Sequence, residues 1–214
     1  MGYTTVLFDL DGTLTDSKAG IIESYQHALA TFGIGADPAS ITARIGPPLH
    51  EGLVALGVPT SQVPAAIETY RAYFAQVGIH QNRLYDGVSA VLAELEQAGV
   101  RMALATSKLT EFAEQIVAQF EIADYFDVVA GASRDGSRIA KKDIVAFALQ
   151  SLGWPEPATV ALVGDRADDM SAAVQLGLFP VGASWGYGNT EELEASGSQV
   201  IIGRPAGIIP ALLS

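Results

Sequence analysis

The chain has 214 residues, no cysteine, and 24 acidic against 12 basic side chains, which gives a formal net charge of −12. Its length and its 49% content of hydrophobic residues suffice for one large domain, or one domain with an insertion, around an ordinary core. The acidity excludes roles that depend on attraction to a polyanion, such as nucleic-acid coating or anchoring to an anionic membrane. The lack of cysteine excludes disulfides, thiol catalysis and thiolate metal sites.

The N-terminal residues show no targeting signal, because Met1 is followed almost directly by an apolar run without a basic region or a cleavage site. No apolar run approaches the roughly 20 residues that a membrane-spanning helix needs. We therefore expect a cytoplasmic protein that binds neither membranes nor nucleic acid. We further expect a monomer or a homodimer.

Short apolar runs without alternation recur along the chain, as expected for parallel strands that are covered on both faces. These predicted strands are residues 5–8, 100–105, 128–130, 160–163, 180–181 and 199–202. Helix patterns lie between them. The predicted helices are one that Asp86 caps and that ends at Gln97, one that Thr110 caps and that reaches about Phe120, and residues 142–152 and 167–176. This alternation predicts a doubly wound, mainly parallel, Rossmann-like α/β sheet.

Residues 18–83 differ, since they contain several helix patterns and no convincing strand. The patterns cover residues 21–32, a helix that Asp37 caps with Pro38 at its first position, and a helix from Thr60 or Ser61 to Val77. Ligands of such sheets bind beyond the carboxyl ends of the strands, so an insertion after the first strand predicts a helical cap above the site. We expect a core of residues 1–15 and 85–214 and a cap of residues 16–84.

Two carboxylates, Asp9 and Asp11, follow the first predicted strand and precede Gly12 and Thr13. Apolar strands rarely end in this way, because an unpaired buried charge is costly. A turn or a helix cap is the simpler interpretation. A calcium loop needs glycine at its sixth position and glutamate at its twelfth, whereas the chain has Leu14 and Gly20 there, so that motif is excluded.

Three further segments carry polar groups at places where a doubly wound sheet would bring them to one edge. They are Thr106-Ser107-Lys108 after the second strand, Lys141-Lys142 at a helix start, and Gly164 to Asp169 after the fourth strand. Each has an ordinary explanation, as a helix cap or a solvated charge. Together they favour a magnesium site, because clustered carboxylates repel one another unless a cation binds. A magnesium ion beside hydroxyl and lysine groups is typical of phosphoryl transfer.

With these segments the chain resembles the haloacid dehalogenase superfamily, specifically its phosphatases with a helical cap and the phosphoglycolate phosphatase-like branch. The resemblance rests on Asp-x-Asp-Gly-Thr at 9–13, Thr106, Lys141 and Gly-Asp-x-x-x-Asp at 164–169, and it covers essentially the whole chain. It implies that Asp9 is the nucleophile and Asp11 the general acid and base. It also implies that Thr106 and Lys141 bind the transferred phosphoryl group. Lys141 is preferred to Lys142 because the branch reads Lys-x-Asp before apolar residues.

The same resemblance implies the metal and substrate ligands. Asp9, the backbone carbonyl of Asp11 and Asp165 would hold Mg²⁺, and Asp169 would support the metal through water or orient Lys141. The residues expected to bind substrate are Gly12, Thr13, Ser107 and Lys108, with Arg44 and Gly46 from the cap. For the loop at residues 185–188 we expect a packing role, and for Arg134 and Arg138 a solvated surface.

The resemblance therefore implies an Mg²⁺-dependent hydrolase that cleaves a small-molecule phosphate ester through an aspartyl-phosphate, like phosphoglycolate phosphatase. A nucleotide or sugar-phosphate phosphatase, a phosphomutase and a non-enzymatic phospho-acceptor protein are the alternatives. Asp11 argues against a dehalogenase, since expulsion of halide needs no proton. The helical insertion and the Asp9-x-Asp11 spacing argue against a signalling receiver domain.

Overall fold

The structure is a computed structural model that describes residues 2–213. Its strands are β1 (Thr5–Phe8), β2 (Thr15–Asp16), β3 (Arg83–Leu84), β4 (Arg101–Leu109), β5 (Val128–Ala132), β6 (Val160–Gly164), β7 (Phe179–Ala183) and β8 (Val200–Ile202). Its α-helices are α1 (Lys18–Ala30), α2 (Pro38–Thr42), α3 (Leu49–Ala55), α4 (Val63–Gln76), α5 (Val88–Gln97), α6 (Thr110–Gln119), α7 (Lys141–Ser151), α8 (Ala167–Leu176), α9 (Thr190–Ala195) and α10 (Ile208–Leu212). Among the described residues, no helix is long and apolar enough to cross a membrane.

The chain divides into two compact units. One unit is the continuous segment Asp16–Arg83, and the other combines the residues up to Thr15 with those from Leu84 onward. Strands β2 and β3 pair in a two-stranded sheet at the two places where the chain passes from one unit to the other.

The larger unit is built on a six-stranded sheet in the order β5-β4-β1-β6-β7-β8, and all its strand pairings are parallel. Every residue of the central strands β1 and β6 is buried. Because successive side chains of a strand point to opposite faces, this burial shows that helices cover both faces of the sheet. The predicted doubly wound α/β fold is confirmed.

Strand β4 continues past the predicted end at residue 105, and its second half is irregular. Its pairing with β5 shifts between Ala105 and Leu109, so that two more residues are used on β4 than on β5. Bulges of this kind redirect side chains at the ends of strands. Here the bulge contains the segment 106–108, which the sequence associates with phosphate binding.

Several helix ends differ from the prediction. Asp86 does not cap α5, since Gly87 is the N-cap residue, with φ of 90°, and the helix begins at Val88. Thr110 is the first residue of α6 rather than its cap, and α7 begins at Lys141 rather than Lys142. Three short helices, α3, α9 and α10, were not expected. Each has only five to seven residues, which is too few for a clear hydrophobic period.

The smaller unit is helical, as expected. Its helices pack around side chains such as Leu29, Ile41, Leu53 and Phe74, which are almost fully buried. Asp37 caps α2 by accepting a hydrogen bond from the Ser40 amide, as its sequence predicts. The predicted helix from Thr60 is instead a 3₁₀ turn at Thr60–Gln62 followed by α4.

Candidate active site

The centre of the larger unit's sheet ends in two neighbouring carboxylates. Asp9 follows β1 and Asp165 follows β6, and these two strands pair with Phe8 opposite Val163. The backbone amide of Asp9 donates to the Val163 carbonyl at 2.9 Å, which continues the ladder by one residue. Parallel pairing therefore brings Asp9 and Asp165 to the same edge of the sheet, although 156 positions separate them.

A third carboxylate, Asp169, comes from the first turn of α8. Its Oδ2 accepts a hydrogen bond from the Arg166 amide at 3.0 Å, as part of a capping box that fixes the start of the helix. Ligand oxygens of Asp9, Asp165 and Asp169 all lie within 4.8 Å of one another. The three residues are only 5%, 0% and 1% exposed, so little water screens their mutual repulsion.

Lys141, the first residue of α7, reaches into this cluster. Its Nζ lies 2.7 Å from Asp9 Oδ1 and 2.7 Å from Asp169 Oδ1, and it donates to the Ala105 carbonyl at 2.9 Å. The adjacent Lys142 is exposed. The helix start thus orients one lysine inward and one outward.

The electrostatics follow from burial and proximity. Burial raises the pKa of Asp9 to about 6, and the Asp169 carboxylate adds to the rise, while the Lys141 ammonium opposes it. Burial, followed by the charges of Asp9 and Asp169, raises the pKa of Asp165 well above its ordinary value. Burial alone would lower the pKa of Lys141, but the two carboxylates that it contacts outweigh burial and raise it.

The cluster fits a divalent cation. Three ionised carboxylates carry a charge of −3, and the Lys141 ammonium offsets one unit of it, so the remaining charge matches Mg²⁺. The oxygen donors are those that Mg²⁺ prefers. The raised pKa values of Asp9 and Asp165 express the cost of keeping these oxygens ionised without such an ion.

Asp11 is paired with Lys108. Lys108 Nζ lies 3.0 Å from Asp11 Oδ2, and the two side chains are 6% and 12% exposed. The bulge of β4 makes this contact possible, because it redirects the chain directly after Thr106. Thr106 is buried, and its hydroxyl oxygen accepts a hydrogen bond from the Lys108 amide at 3.2 Å. Ser107 lies half-buried in the same bulge.

Thr13 and Gly12 surround Asp165. The Thr13 hydroxyl donates to Asp165 Oδ1 at 3.1 Å, and Thr13 is fully buried. Gly12 has φ of 90°, and a Cβ atom there would lie 2.3 Å from Asp165 Oδ2. The side chain of Thr13 therefore helps to orient Asp165, which is a predicted metal ligand.

The loop after β7 contributes contacts that the sequence did not reveal. The Tyr187 amide donates to Asp165 Oδ2 at 2.7 Å, and the Trp185 indole donates to the Thr13 carbonyl at 3.1 Å. In the sequence, only the glycines at 186 and 188 could have indicated these contacts, because glycine is used where a backbone must approach another group closely.

The remaining candidates belong to other segments of the chain. Arg44 and Gly46 belong to the smaller unit, where Arg44 is exposed and Gly46 has φ of 111°. Asp168 is half-buried on α8. Arg134 is exposed and pairs with Glu111, whereas Arg138 is half-buried, donates to the Gly131 carbonyl and lies over the Phe147 ring. Arg138 thus supports the loop before Lys141 rather than forming a solvated surface.

Comparison with known families agrees with this geometry. Residues 6–183 match the model of the haloacid dehalogenase-like hydrolases. The chain belongs to this family. The expected superfamily is therefore confirmed.

Individual relatives bear different names. The chain is 43% identical to the tyrosine-protein kinase PtkA of Mycobacterium tuberculosis, over 92% of this chain and 67% of that protein. It is 35% identical to a 5'-nucleotidase of Pseudomonas aeruginosa, over 90% of this chain and 88% of that protein. It is 32% identical to the phosphoglycolate phosphatase of Pectobacterium atrosepticum, over 96% and 90% of the two chains.

A solved structure resembles the whole chain. The crystal structure of a predicted phosphatase from Clostridium acetobutylicum superposes with a TM-score of 0.94 at 36% identity, covering 99% of this chain and 98% of that one. The likeness includes both compact units, since it extends over nearly every residue.

Proposed function

We propose that the protein is an Mg²⁺-dependent phosphomonoester hydrolase that acts on a small phosphorylated metabolite through an aspartyl-phosphate on Asp9. One observation carries the proposal: Asp9 shares a buried cluster with Asp165 and Asp169 and contacts Lys141 at 2.7 Å. A carboxylate can attack a phosphate dianion only where positive charge offsets the repulsion between them. The Lys141 ammonium supplies such charge, and a divalent cation held by the three carboxylates would supply more.

Asp9, Asp165 and the backbone carbonyl of Asp11 would hold the magnesium ion. Asp169 orients Lys141 through the 2.7 Å ion pair and lies close enough to the other two carboxylates to support the ion. When bound, the ion supplies charge stabilisation for the phosphoryl oxygens. All the remaining chemistry belongs to the side chains of this chain.

In the first step, an Asp9 carboxylate oxygen forms a bond to phosphorus while the ester oxygen leaves. Asp11 gives its proton to that oxygen, so the product is an alcohol and not an alkoxide. The Lys141 ammonium and the Thr106 hydroxyl donate to the phosphoryl oxygens, whose charge shifts as the bonds exchange.

In the second step, Asp11 accepts a proton from a water molecule that attacks the phosphorus of the aspartyl-phosphate. The bond between phosphorus and the Asp9 oxygen breaks, which restores the Asp9 carboxylate and releases phosphate. The same side chain thus serves as acid and then as base. The ion pair with Lys108 holds the Asp11 carboxylate in one position, which suits the base role of this second step.

The substrate class is proposed from the relatives, since the fold alone does not assign it. Phosphoglycolate and nucleoside 5'-monophosphates are the leading candidates, because two relatives bear the names of those activities. Sugar phosphates remain an alternative. We propose that Arg44 and Gly46 of the smaller unit contribute to the choice among them.

Phosphoryl transfer to a tyrosine hydroxyl is a second candidate, favoured by the 43% identity to a protein named tyrosine-protein kinase. The chemistry would use the same aspartyl-phosphate, with a phenol in place of water. Incubation with radiolabelled ATP, followed by phosphoamino-acid analysis of the chain, distinguishes it: labelled phosphotyrosine supports a kinase, and hydrolysis alone supports a phosphatase.

The main test is release of inorganic phosphate from phosphoglycolate, nucleoside monophosphates, sugar phosphates and phosphotyrosine. We expect turnover with Mg²⁺, none with EDTA, and recovery when Mg²⁺ is restored. Asp9→Asn is expected to abolish turnover, whereas Asp143→Asn, which changes an exposed carboxylate on α7, is expected to preserve it. Turnover retained by Asp9→Asn would refute the nucleophile, and no turnover of any ester by the wild type would refute the hydrolase.

A further inference from the structure

Asp165 is held by a closed set of hydrogen bonds that the loop at residues 185–188 completes. The Tyr187 amide donates to one carboxylate oxygen at 2.7 Å, and the Thr13 hydroxyl donates to the other at 3.1 Å. The Trp185 indole in turn donates to the Thr13 carbonyl at 3.1 Å. The backbone from Trp185 to Tyr187 closes the set, so Asp165, Thr13, Trp185 and Tyr187 form a ring of three hydrogen bonds and one chain segment.

Two glycines allow the loop backbone to lie directly against Asp165. A Cβ atom at Gly186 would lie 2.3 Å from Asp165 Cβ, and one at Gly188 would lie 2.1 Å from the Asp165 carbonyl oxygen. Real Cβ atoms do not approach other groups this closely, so any side chain at either position would displace the aspartate or the loop. The orientation of Asp165 therefore depends on where the loop lies.

Trp185 is the side chain that anchors this loop. Its indole N–H reaches across to the residue after Gly12, and its ring meets the edge of the Tyr85 ring at a centroid distance of 6.5 Å. Tyr85 is itself tied to the Leu14 carbonyl through its amide at 3.0 Å. The anchor thus joins the loop to the segment that follows β1.

We propose that Trp185 is a positioning residue for the cation site: its indole N–H holds the 185–188 loop, and the loop orients Asp165. The inference rests on the proposed function, because it assumes that Asp165 binds Mg²⁺. Each carboxylate oxygen accepts one of the two bonds described and retains lone-pair capacity for a cation. Partners that orient a metal ligand change metal affinity by about 10–100-fold when they are removed.

The test is Mg²⁺ binding by isothermal titration calorimetry without substrate, together with kcat and the KM for Mg²⁺. Trp185→Phe keeps the ring and removes the N–H donor. We expect its Mg²⁺ affinity to fall about 10-fold. We expect kcat at saturating Mg²⁺ to stay near the wild-type value, because Asp165 can still bind the ion once its concentration is high enough. Trp154→Phe is the matched control, because Trp154 is the other tryptophan and is 57% exposed.

Gly186→Ala is a second variant, which leaves the indole intact and places a methyl group against Asp165. It is also expected to bind Mg²⁺ more weakly than the wild type. In the Trp154→Phe protein, Trp185 is the only tryptophan. Its fluorescence emission is expected to change when Mg²⁺ is titrated into the protein. Unchanged Mg²⁺ affinity in a folded Trp185→Phe protein would overturn the inference, even if its melting temperature fell. A wild-type chain that binds no Mg²⁺ would instead overturn the proposed function.

Discussion

Lys141 Nζ donates to Asp9 Oδ1 at 2.7 Å, although the two residues are 132 positions apart. The contact requires three features together: β1 must end at Phe8, α7 must begin at Lys141, and the β4 carbonyl at Ala105 must accept the second lysine proton. It places a permanent positive charge beside the proposed nucleophile. The same ammonium is therefore available to the phosphoryl group that Asp9 would receive.

Lys141→Ala is expected to lower kcat/KM by about 10²–10³-fold, which is the usual effect of removing one charge-stabilising donor from a reacting oxyanion. Lys142→Ala is the control, because Lys142 occupies the neighbouring position but is exposed. Steady-state kinetics on the best ester of the panel measures both. Equal losses in the two variants would contradict the assignment of Lys141.

Asp11→Asn is expected to separate the two chemical steps, since asparagine can neither donate a carboxylic proton nor accept one from water. An ester with a good leaving group, such as p-nitrophenyl phosphate, needs little protonation and should still phosphorylate Asp9. A rapid-quench experiment is then expected to show about one equivalent of p-nitrophenol per chain, followed by slow turnover. Steady turnover at the wild-type rate would show that Asp11 is not the acid and base.

The parts of the site that the sequence predicts are those that strand ends determine. Asp9 and Asp165 follow apolar runs, and parallel strands bring their carboxyl ends to one edge, so their meeting follows from the pattern alone. The contact between Lys108 and Asp11 does not follow from it, because it depends on a bulge that shifts the register of β4. From its residue type alone, the Lys108 side chain could be either solvated or buried.

The contacts of Trp185 were unpredictable for a different reason. Its bond to Thr13 joins residues 172 positions apart and uses a backbone carbonyl, which carries no sequence signal. The start of α5 shows a similar limit at short range. Asp86 is a good capping residue by type, but Gly87 takes a left-handed conformation and the helix begins one residue later.

Mg²⁺ is expected to stabilise the chain more at neutral pH than in mild acid. Asp9 has a pKa of about 6 in the folded chain against an ordinary value of 3.8, so between these values the folded state binds more protons than the unfolded state. The free energy of unfolding of the metal-free chain therefore falls as the pH rises through that interval. Ionised carboxylates bind the cation, so Mg²⁺ restores stability over the same interval.

Melting temperatures with Mg²⁺ and with EDTA, at about pH 5 and about pH 7.5, measure this linkage. At a Mg²⁺ concentration of 100 times Kd the stabilisation is about 2.7 kcal/mol, provided that the carboxylates are ionised. Asp9→Asn is the control, and its Mg²⁺-dependent shift should vary less with pH. A shift of equal size at both pH values would contradict a cation held by Asp9.

Gly12→Ala and Gly99→Ala separate backbone strain from damage to the site. Both glycines have positive φ, 90° and 75°, so alanine is expected to cost about 1–2 kcal/mol of stability at either position. Only at Gly12 does the new methyl group meet Asp165, at 2.3 Å from Oδ2, whereas at Gly99 it has no neighbour within 4 Å. Beyond this shared backbone strain, we expect a further loss of stability in Gly12→Ala, because displacing Asp165 disturbs its hydrogen bonds to Thr13 and Tyr187. We also expect a loss of Mg²⁺ binding and turnover in Gly12→Ala alone. Equal activity in the two variants would show that Asp165 tolerates displacement and would weaken its assignment as a metal ligand.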